Sequence, residues 1–246
     1  MRTPIFLLFL SYTCLVLFGC KKDEEQAPCP QGCGGAVTAN TVIDMDGNVY
    51  LTVTIGAQVW MKENLRTIRY RDGSMIPYIA DNIAWGIEPI GACCYYSNLF
   101  DYNLIFGKLY NWHAANDTRG LCPVGWRLPS DADWQELESA LGMPSAELDG
   151  TGYRGVQTNV GMQMKAPTSW QGVATEEWGQ SGFSALAGGH RAGGFFNLGI
   201  TGSWWSSTEA TPSSLARARE LRFDNTGIRR FNFSKENGCC VRCLKD

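Results

Sequence analysis

The chain has 246 residues, a formal net charge of -3 and 18% charged side chains, fewer charges than the roughly 25% of an average domain. Its basic residues are scattered, which excludes the electrostatic footprint of a nucleic-acid-binding protein. Once a leader is removed, the remainder slightly exceeds one domain of about 100 to 200 residues, and 28 glycines against a usual share of about 7% predict a turn-rich chain with long loops.

Arg2 precedes a mostly apolar run from Ile5 to Phe18, too short for the roughly 20 residues of a comfortable membrane span. A cationic start, an apolar core and the small Gly19 before a cut are the parts of a secretory signal peptide over residues 1-19. The ending Leu17-Phe18-Gly19-Cys20 resembles the bacterial lipobox, in which the cysteine becomes the mature N-terminus and carries acyl chains such as palmitate. That resemblance implies lipidation at Cys20 and a membrane partner reached through the anchor. Each buried methylene contributes about 0.8 kcal/mol, and more than one chain makes anchoring stable. Cys14, after Ser11-Tyr12-Thr13, lacks the small residue beside the cut. The run Lys21-Lys22-Asp23-Glu24-Glu25 is similar to signals that send lipoproteins of Bacteroidetes to the outer face of the outer membrane; by charge alone it also reads as a solvated tether. Residues 20-40 then form anchor and tether, with Pro28, Pro30, Gly32, Gly34 and Gly35 giving it a linker composition.

Removing Cys14 and Cys20 from the ten cysteines leaves eight: Cys29, Cys33, Cys93, Cys94, Cys122, Cys239, Cys240 and Cys243. An even number outside the cytoplasm predicts disulfides, whose connectivity spacing does not give. The rival reading is zinc at Cys240-Val-Arg-Cys243, but no second clean knuckle or histidine pair completes a tetrahedral set. Neither a metal nor a cofactor is expected.

In the folded part, Asp46-Gly47 separates the alternating runs Thr41 to Met45 and Val49 to Ile55, a hairpin signal. Val59 to Met61 reads as another strand. The acidic turn beginning at Asp44 fails as a calcium loop, because its glycine stands fourth rather than sixth. Leu109, Trp112 and Ala115 at helical spacing predict a helix over Gly107 to Ala115. Ser130 to Leu141 is the clearest helix: Ser130 and Asp133 form a capping pair, Trp134, Leu137 and Leu141 one apolar stripe, and Gly142 and Pro144 a stop. A third helix is expected over Gln157 to Lys165. From Gly182 onward short strands are expected at Phe183 to Leu186, Gly202 to Ser206, Leu221 to Phe223, Ile228 to Phe233 and Cys240 to Leu244. An early hairpin, middle helices and a late antiparallel set predict an α+β fold.

Seven blocks then occur in order: Asp46-Gly-Asn-Val-Tyr50; Val53-Thr-Ile-Gly56 with Trp60-Met-Lys-Glu-Asn-Leu65; Gly107-Lys-Leu-Tyr-Asn-Trp112; Cys122-Pro-Val-Gly-Trp-Arg-Leu-Pro-Ser130; Phe183-Ser-Ala-Leu-Ala-Gly-Gly189; Trp204-Trp-Ser-Ser-Thr-Glu209; and Val241-Arg-Cys243. Together they resemble the Fibrobacter succinogenes major paralogous domain, over residues 41-246. That family is similar to the formylglycine-generating-enzyme version of the C-type lectin fold. The resemblance implies a single disulfide-braced C-type-lectin-like domain of short antiparallel strands, two or three helices and long loops. It also implies a Cys122 to Cys243 bridge, which closes a loop of about 100 residues and is worth roughly 4 to 5 kcal/mol in the chain-entropy model. The chain departs from the family pattern at Cys239 and Cys240, which with Cys93 and Cys94 are expected to form further bridges.

The resemblance does not carry catalysis with it. Formylglycine-generating enzymes use a late copper-binding cysteine pair, and Trp204 to Phe233 contains no cysteine. Of the two histidines, His113 reads as a packed side chain, and His190 lacks a nucleophile-elbow pattern. A paired-carboxylate glycosidase needs two acids facing a cleft, an arrangement left open by Glu88, Asp101, Glu176 and Glu177, which are all in expected loops. Binding is the expected role, since lectin-like domains carry function on loops over a rigid sheet. Trp204, Arg222 and Arg230 are lesser candidates; the leading set is Trp205, Arg219, Asn225, Arg229, Phe231 and Asn232, which joins flat rings to forked donors suited to a glycan or a surface protein. Strand alternation puts at least one of Trp204 and Trp205 in the core. Neither Glu-Pro-Asn nor Trp-Asn-Asp occurs, which disfavours calcium-dependent sugar binding. The sequence thus predicts a non-enzymatic, lipid-anchored protein of the outer membrane that faces outside and binds an extracellular ligand. The alternatives are an adhesion or assembly component of a surface or fimbrial complex, and a formylglycine-generating-type oxidoreductase.

Overall fold

Turn chemistry at Asp44 builds the first hairpin. In the computed structural model, which describes residues 40-246 except 88, 89 and 173, β1 (Thr41–Ile43) and β2 (Val49–Ile55) pair antiparallel. The Asp44 carboxylate accepts from the backbone N–H groups of Asp46 at 2.9 Å and Asn48 at 3.0 Å and from the Tyr50 hydroxyl at 2.5 Å, while Gly47 takes a φ of 80° that favours glycine. β3 (Gln58–Met61) continues the meander, with Val53 opposite Trp60. The signal segment, Cys20, Cys29 and Cys33 lie outside the described residues.

Next come α1 (Asn82–Ile87), β4 (Cys93–Cys94), α2 (Phe100–Phe106), β5 (Leu109–Tyr110) and α3 (Trp112–Ala115). The helix expected over 107-115 is therefore corrected to a strand and a single helical turn. Tyr110 exchanges both backbone hydrogen bonds with Cys239, at 2.9 and 3.0 Å, which holds it extended. The Asn111 side chain then caps the turn by accepting from Ala114 N–H at 2.9 Å.

After β6 (Trp126–Arg127), α4 (Asp131–Ala140) starts on the expected capping box, with the Ser130 hydroxyl accepting from Asp133 N–H and Asp133 accepting from Ser130 N–H. Its Trp134 and Leu137 are fully buried. β7 (Gly152–Arg154) and α5 (Val160–Met164) follow, the latter shorter than the expected helix. The last strands are β8 (Gly188–Arg191), β9 (Phe195–Leu198), β10 (Thr201–Glu209), β11 (Leu215–Arg222), β12 (Ile228–Ser234) and β13 (Leu244–Lys245). Phe183 to Leu186 is not a sheet strand; Ala185 is tied instead to the end of α5, donating to Met164 and accepting from Ala166, both at 2.8 Å.

One sheet runs β1-β2-β3-β13-β6, a second β7-β12-β11-β10-β8-β9, and β4 pairs with β5. Pairing is antiparallel except between β8 and β10. Helices beside largely antiparallel sheets make the fold α+β.

The C-terminal run stitches these parts together. Cys239 bonds to Tyr110, Cys240 N–H donates to Ser203 at 2.9 Å, Leu65 N–H donates to Val241 at 2.8 Å, and Met61 N–H donates to Cys243 at 3.1 Å. Leu244 then pairs with both Trp60 and Arg127. Cys243 is bonded to Cys122, 121 positions away, with the two Cα atoms 5.9 Å apart. The expected Cys240 to Leu244 strand is thus a seam that serves a different neighbour at almost every residue.

The four remaining described cysteines are buried and unbonded, which corrects the expectation of further bridges. The cause is register. Tyr110 pairs with Cys93 on one side and with Cys239 on the other, and the same register carried one residue on puts Leu109 between Cys94 and Cys240. Adjacent strands lie about 4.8 Å apart, so an intervening strand separates each couple by roughly 9 to 10 Å, beyond the ~7 Å Cα limit for a bridge. Neighbours Cys93 and Cys94 point to opposite faces and belong to different cores.

Candidate ligand-binding face

Register decides which side chains of the six-stranded sheet meet. Ser203 pairs with Glu220, Glu220 with Arg229, and Arg229 with Tyr153, so these four share one face. Two residues further along each strand, the same face carries Trp205, Ala218 and Phe231, and Phe233 contacts Trp205 and Phe231. The other face carries Trp204, Arg219 and Arg230.

A half-exposed strip follows from this arrangement on the first face. Phe196 stacks on His190 with centroids 6.0 Å apart; His190 meets Phe233 edge-on at 5.4 Å, and Phe233 meets Phe231 at 5.3 Å. The Arg229 guanidinium lies 4.7 Å from the Phe231 ring centre, and its NH1 reaches Glu220 Oε1 at 3.2 Å. The Tyr153 hydroxyl closes the strip against Glu220 at 3.4 Å. Phe196 is 48% exposed and the Arg229 side chain 42%, so rings and a forked cation face solvent from a rigid sheet.

Burial pushes the His190 imidazole below its usual range, against the opposing pull of Glu220, so neutral His190 presents an aromatic face at neutral pH. Its Nδ1 and the Ser203 hydroxyl are buried without a hydrogen-bond partner among the described residues. Burial, reinforced by the Glu220 charge, raises Tyr153 to about 12, which keeps it a hydroxyl donor.

Of the six leading sequence candidates, this face gathers Arg229 and Phe231 as ligand-accessible groups. Trp205 is on the face but fully buried, with its indole N–H donating to Tyr110 O at 2.8 Å; it is a core side chain. Arg219 is corrected likewise, since it points to the opposite face and is fully buried. There it donates to Glu138 at 2.6 Å and to Asp131 at 2.7 Å. Asn225 holds the β11–β12 turn by accepting from Gly227 N–H at 2.9 Å. Asn232 is exposed on the opposite face and accepts from Arg217 at 2.7 Å. Of the lesser candidates, Trp204 is buried, Arg230 is bound to Asp131, and Arg222 is paired with Asp224. Tyr153, His190, Phe196, Glu220 and Phe233 were not signalled by sequence; alternation marks them only after the strand neighbours are known.

The opposite face is held by charge. Asp131 accepts from Arg219 and Arg230, while Glu138 accepts from Arg219 and Arg154. Burial works to raise the Asp131 carboxyl, but hydrogen bonds from Arg230 and the nearby Arg219 outweigh it and hold the group down at about 2. Among the described residues no group of three or more His, Cys, Asp or Glu side chains could hold a metal ion.

No curated protein and no solved structure matches the chain. The family described as the Fibrobacter succinogenes major domain matches residues 53–245, a span from β2 to β13 that includes both members of the disulfide and every residue of the strip. The chain belongs to the Fibrobacter succinogenes major domain family.

Proposed function

We propose that this is a lipid-anchored protein of the outer membrane, facing outside, that holds an extracellular glycan or protein on the Phe196 to Tyr153 strip without catalysing a reaction. The observation that carries the reading is a continuous row of half-exposed rings and one stacked guanidinium on a six-stranded sheet. Aromatic faces supply contact area at little conformational cost, and a sheet keeps them positioned. The lipobox-like ending at Cys20 supports the location, and the bridged, largely antiparallel fold supports a C-type-lectin-like architecture. The cysteine-free stretch from Trp204 to Phe233 argues against formylglycine-type chemistry.

The test is a binding screen of the lipidated protein in detergent against glycans and extracted surface proteins, repeated with Phe231→Ala and Arg229→Ala. Capture of a glycan or protein that both substitutions weaken at least tenfold supports the proposal. Capture unaffected by either moves the site elsewhere on the domain.

A further inference from the structure

A concavity lies apart from the residues of the Phe231 strip. It has a volume of about 470 Å³ and is walled by Ile90, Gly91, Trp112, His113 and the run Asn116 to Arg119. Arg119 and Asp117 lock together there: Nε reaches Oδ1 at 2.9 Å and NH2 reaches Oδ2 at 2.8 Å. Arg119 NH1 also donates to Ser74 Oγ at 3.1 Å, and the guanidinium lies 3.9 Å from the Tyr70 ring centre. His113 Nε2 is 3.1 Å from Glu236 Oε1. The acid and the guanidinium in this wall already face each other, so neither is a vacant counter-ion for a charged ligand. By contrast, Asn116 and Thr118 are exposed, and their side chains make no hydrogen bond with the described residues.

The wall thus offers a flat, fixed plate of donors and acceptors with little uncompensated charge, plus an amide and a hydroxyl free to bond. Ile90, 46% exposed, supplies an apolar side. A carboxylate or phosphate would have to compete with Asp117 for Arg119, and an amine would have to compete with Arg119 for Asp117. A neutral polyhydroxyl ring needs neither exchange, because its hydroxyls both donate and accept and its C–H face suits an apolar wall.

A neighbouring concavity, of about 190 Å³, shares Asn116 and Asp117 and is walled also by Ser207, by Arg71, whose guanidinium is tied to the Cys122 and Trp126 carbonyls, and by Arg127, which is paired with Asp133. Asn116 and Asp117 therefore stand between two concavities, one for each of two linked rings.

We infer that the paired concavities around Asn116 and Asp117 form a binding groove for a neutral oligosaccharide of two or more units, with Asn116 and Thr118 as its direct hydrogen-bonding contacts. The groove is separate from the Phe231 strip; it rests on the reading that the domain binds extracellular ligands and adds to it a second site for a neutral glycan.

The test is an array of neutral cello-, xylo- and manno-oligosaccharides beside oligogalacturonates, probed with the lipidated protein in detergent. The expected result is binding of a neutral oligosaccharide, no preference for the acidic series, and at least a tenfold loss of affinity in Asn116→Ala and Thr118→Ala. Leu104→Ala, at an exposed side chain outside both the groove and the strip, should bind as the parent does. Because Asn116 and Thr118 are exposed, an unchanged melting temperature will show that both variants remain folded. Binding of no neutral glycan, preference for oligogalacturonates, or neutral binding insensitive to both substitutions overturns the groove. Neutral binding lost instead in Phe231→Ala also overturns it, while supporting the strip. A failed groove with a protein still captured on the strip leaves the broader proposal standing.

Discussion

Arg219 donates its Nε to Oε1 of Glu138 at 2.6 Å, and neither side chain has any exposure to solvent. This contact joins β11 to α4, and the same carboxylate accepts from Arg154 at 2.9 Å. Arg154 therefore depends on this one buried acid, which Arg219 shares with Asp131. Removing one partner of such a set leaves a buried charge uncompensated, at a cost of about 3 to 5 kcal/mol. Glu138→Ala is expected to lower unfolding stability by that amount in urea. A loss below ~1 kcal/mol would mean the contact is not a clamp.

Asp131 sets an acid limit. Its folded carboxyl titrates at about 2, against about 3.9 when unfolded. The folded value is the lower one, so the stabilisation is fully present above pH ~4 and disappears as pH falls through about 2. The difference corresponds to at most about 2.6 kcal/mol. Melting temperature should fall between pH 4 and 2, and more shallowly in Asp131→Asn, although that variant will start lower. Equal slopes in parent and variant would remove Asp131 as the cause.

The cysteines should divide by accessibility and by bonding. Cys122→Ala with Cys243→Ala is expected to lower stability by roughly 4 to 5 kcal/mol, because the bridge closes a long loop. Cys93, Cys94, Cys239 and Cys240 are buried, so alkylation followed by peptide mapping should label them only after denaturation. Finding any of these four in a native disulfide would contradict the strand order around Tyr110.

Cys20→Ala is expected to move the protein from the membrane to the soluble fraction, and external protease should digest the parent on intact cells. Unchanged membrane recovery would contradict lipidation; protease protection would place the domain on the inner side.

Local signals made some elements legible in the sequence and left others hidden. α4 announces itself through Ser130 and Asp133, its Trp134 and Leu137 stripe and the stop at Gly142. The first hairpin announces itself through Asp46-Gly47. The strand at Tyr110 does not, because the partner that extends it is Cys239, far along the chain. Most of β11 is hidden for a similar reason. Its Ala-Arg-Ala-Arg pattern looks polar, yet Arg219 is buried by acids 81 and 88 positions away. The strip was half legible: Arg229 and Phe231 alternate visibly, but only register brings His190, Glu220 and Tyr153 beside them.

The central claim is that the sheet face holds a ligand, and amide hydrogen exchange reads it most directly. Exchange is to be measured on the lipidated protein in detergent, with and without a captured glycan or protein whose binding is unaffected by Asn116→Ala and Thr118→Ala. Added protection concentrated at residues 190–196 and 228–233 is the predicted result. Protection confined to other parts of the domain, with these two segments unchanged, would contradict it.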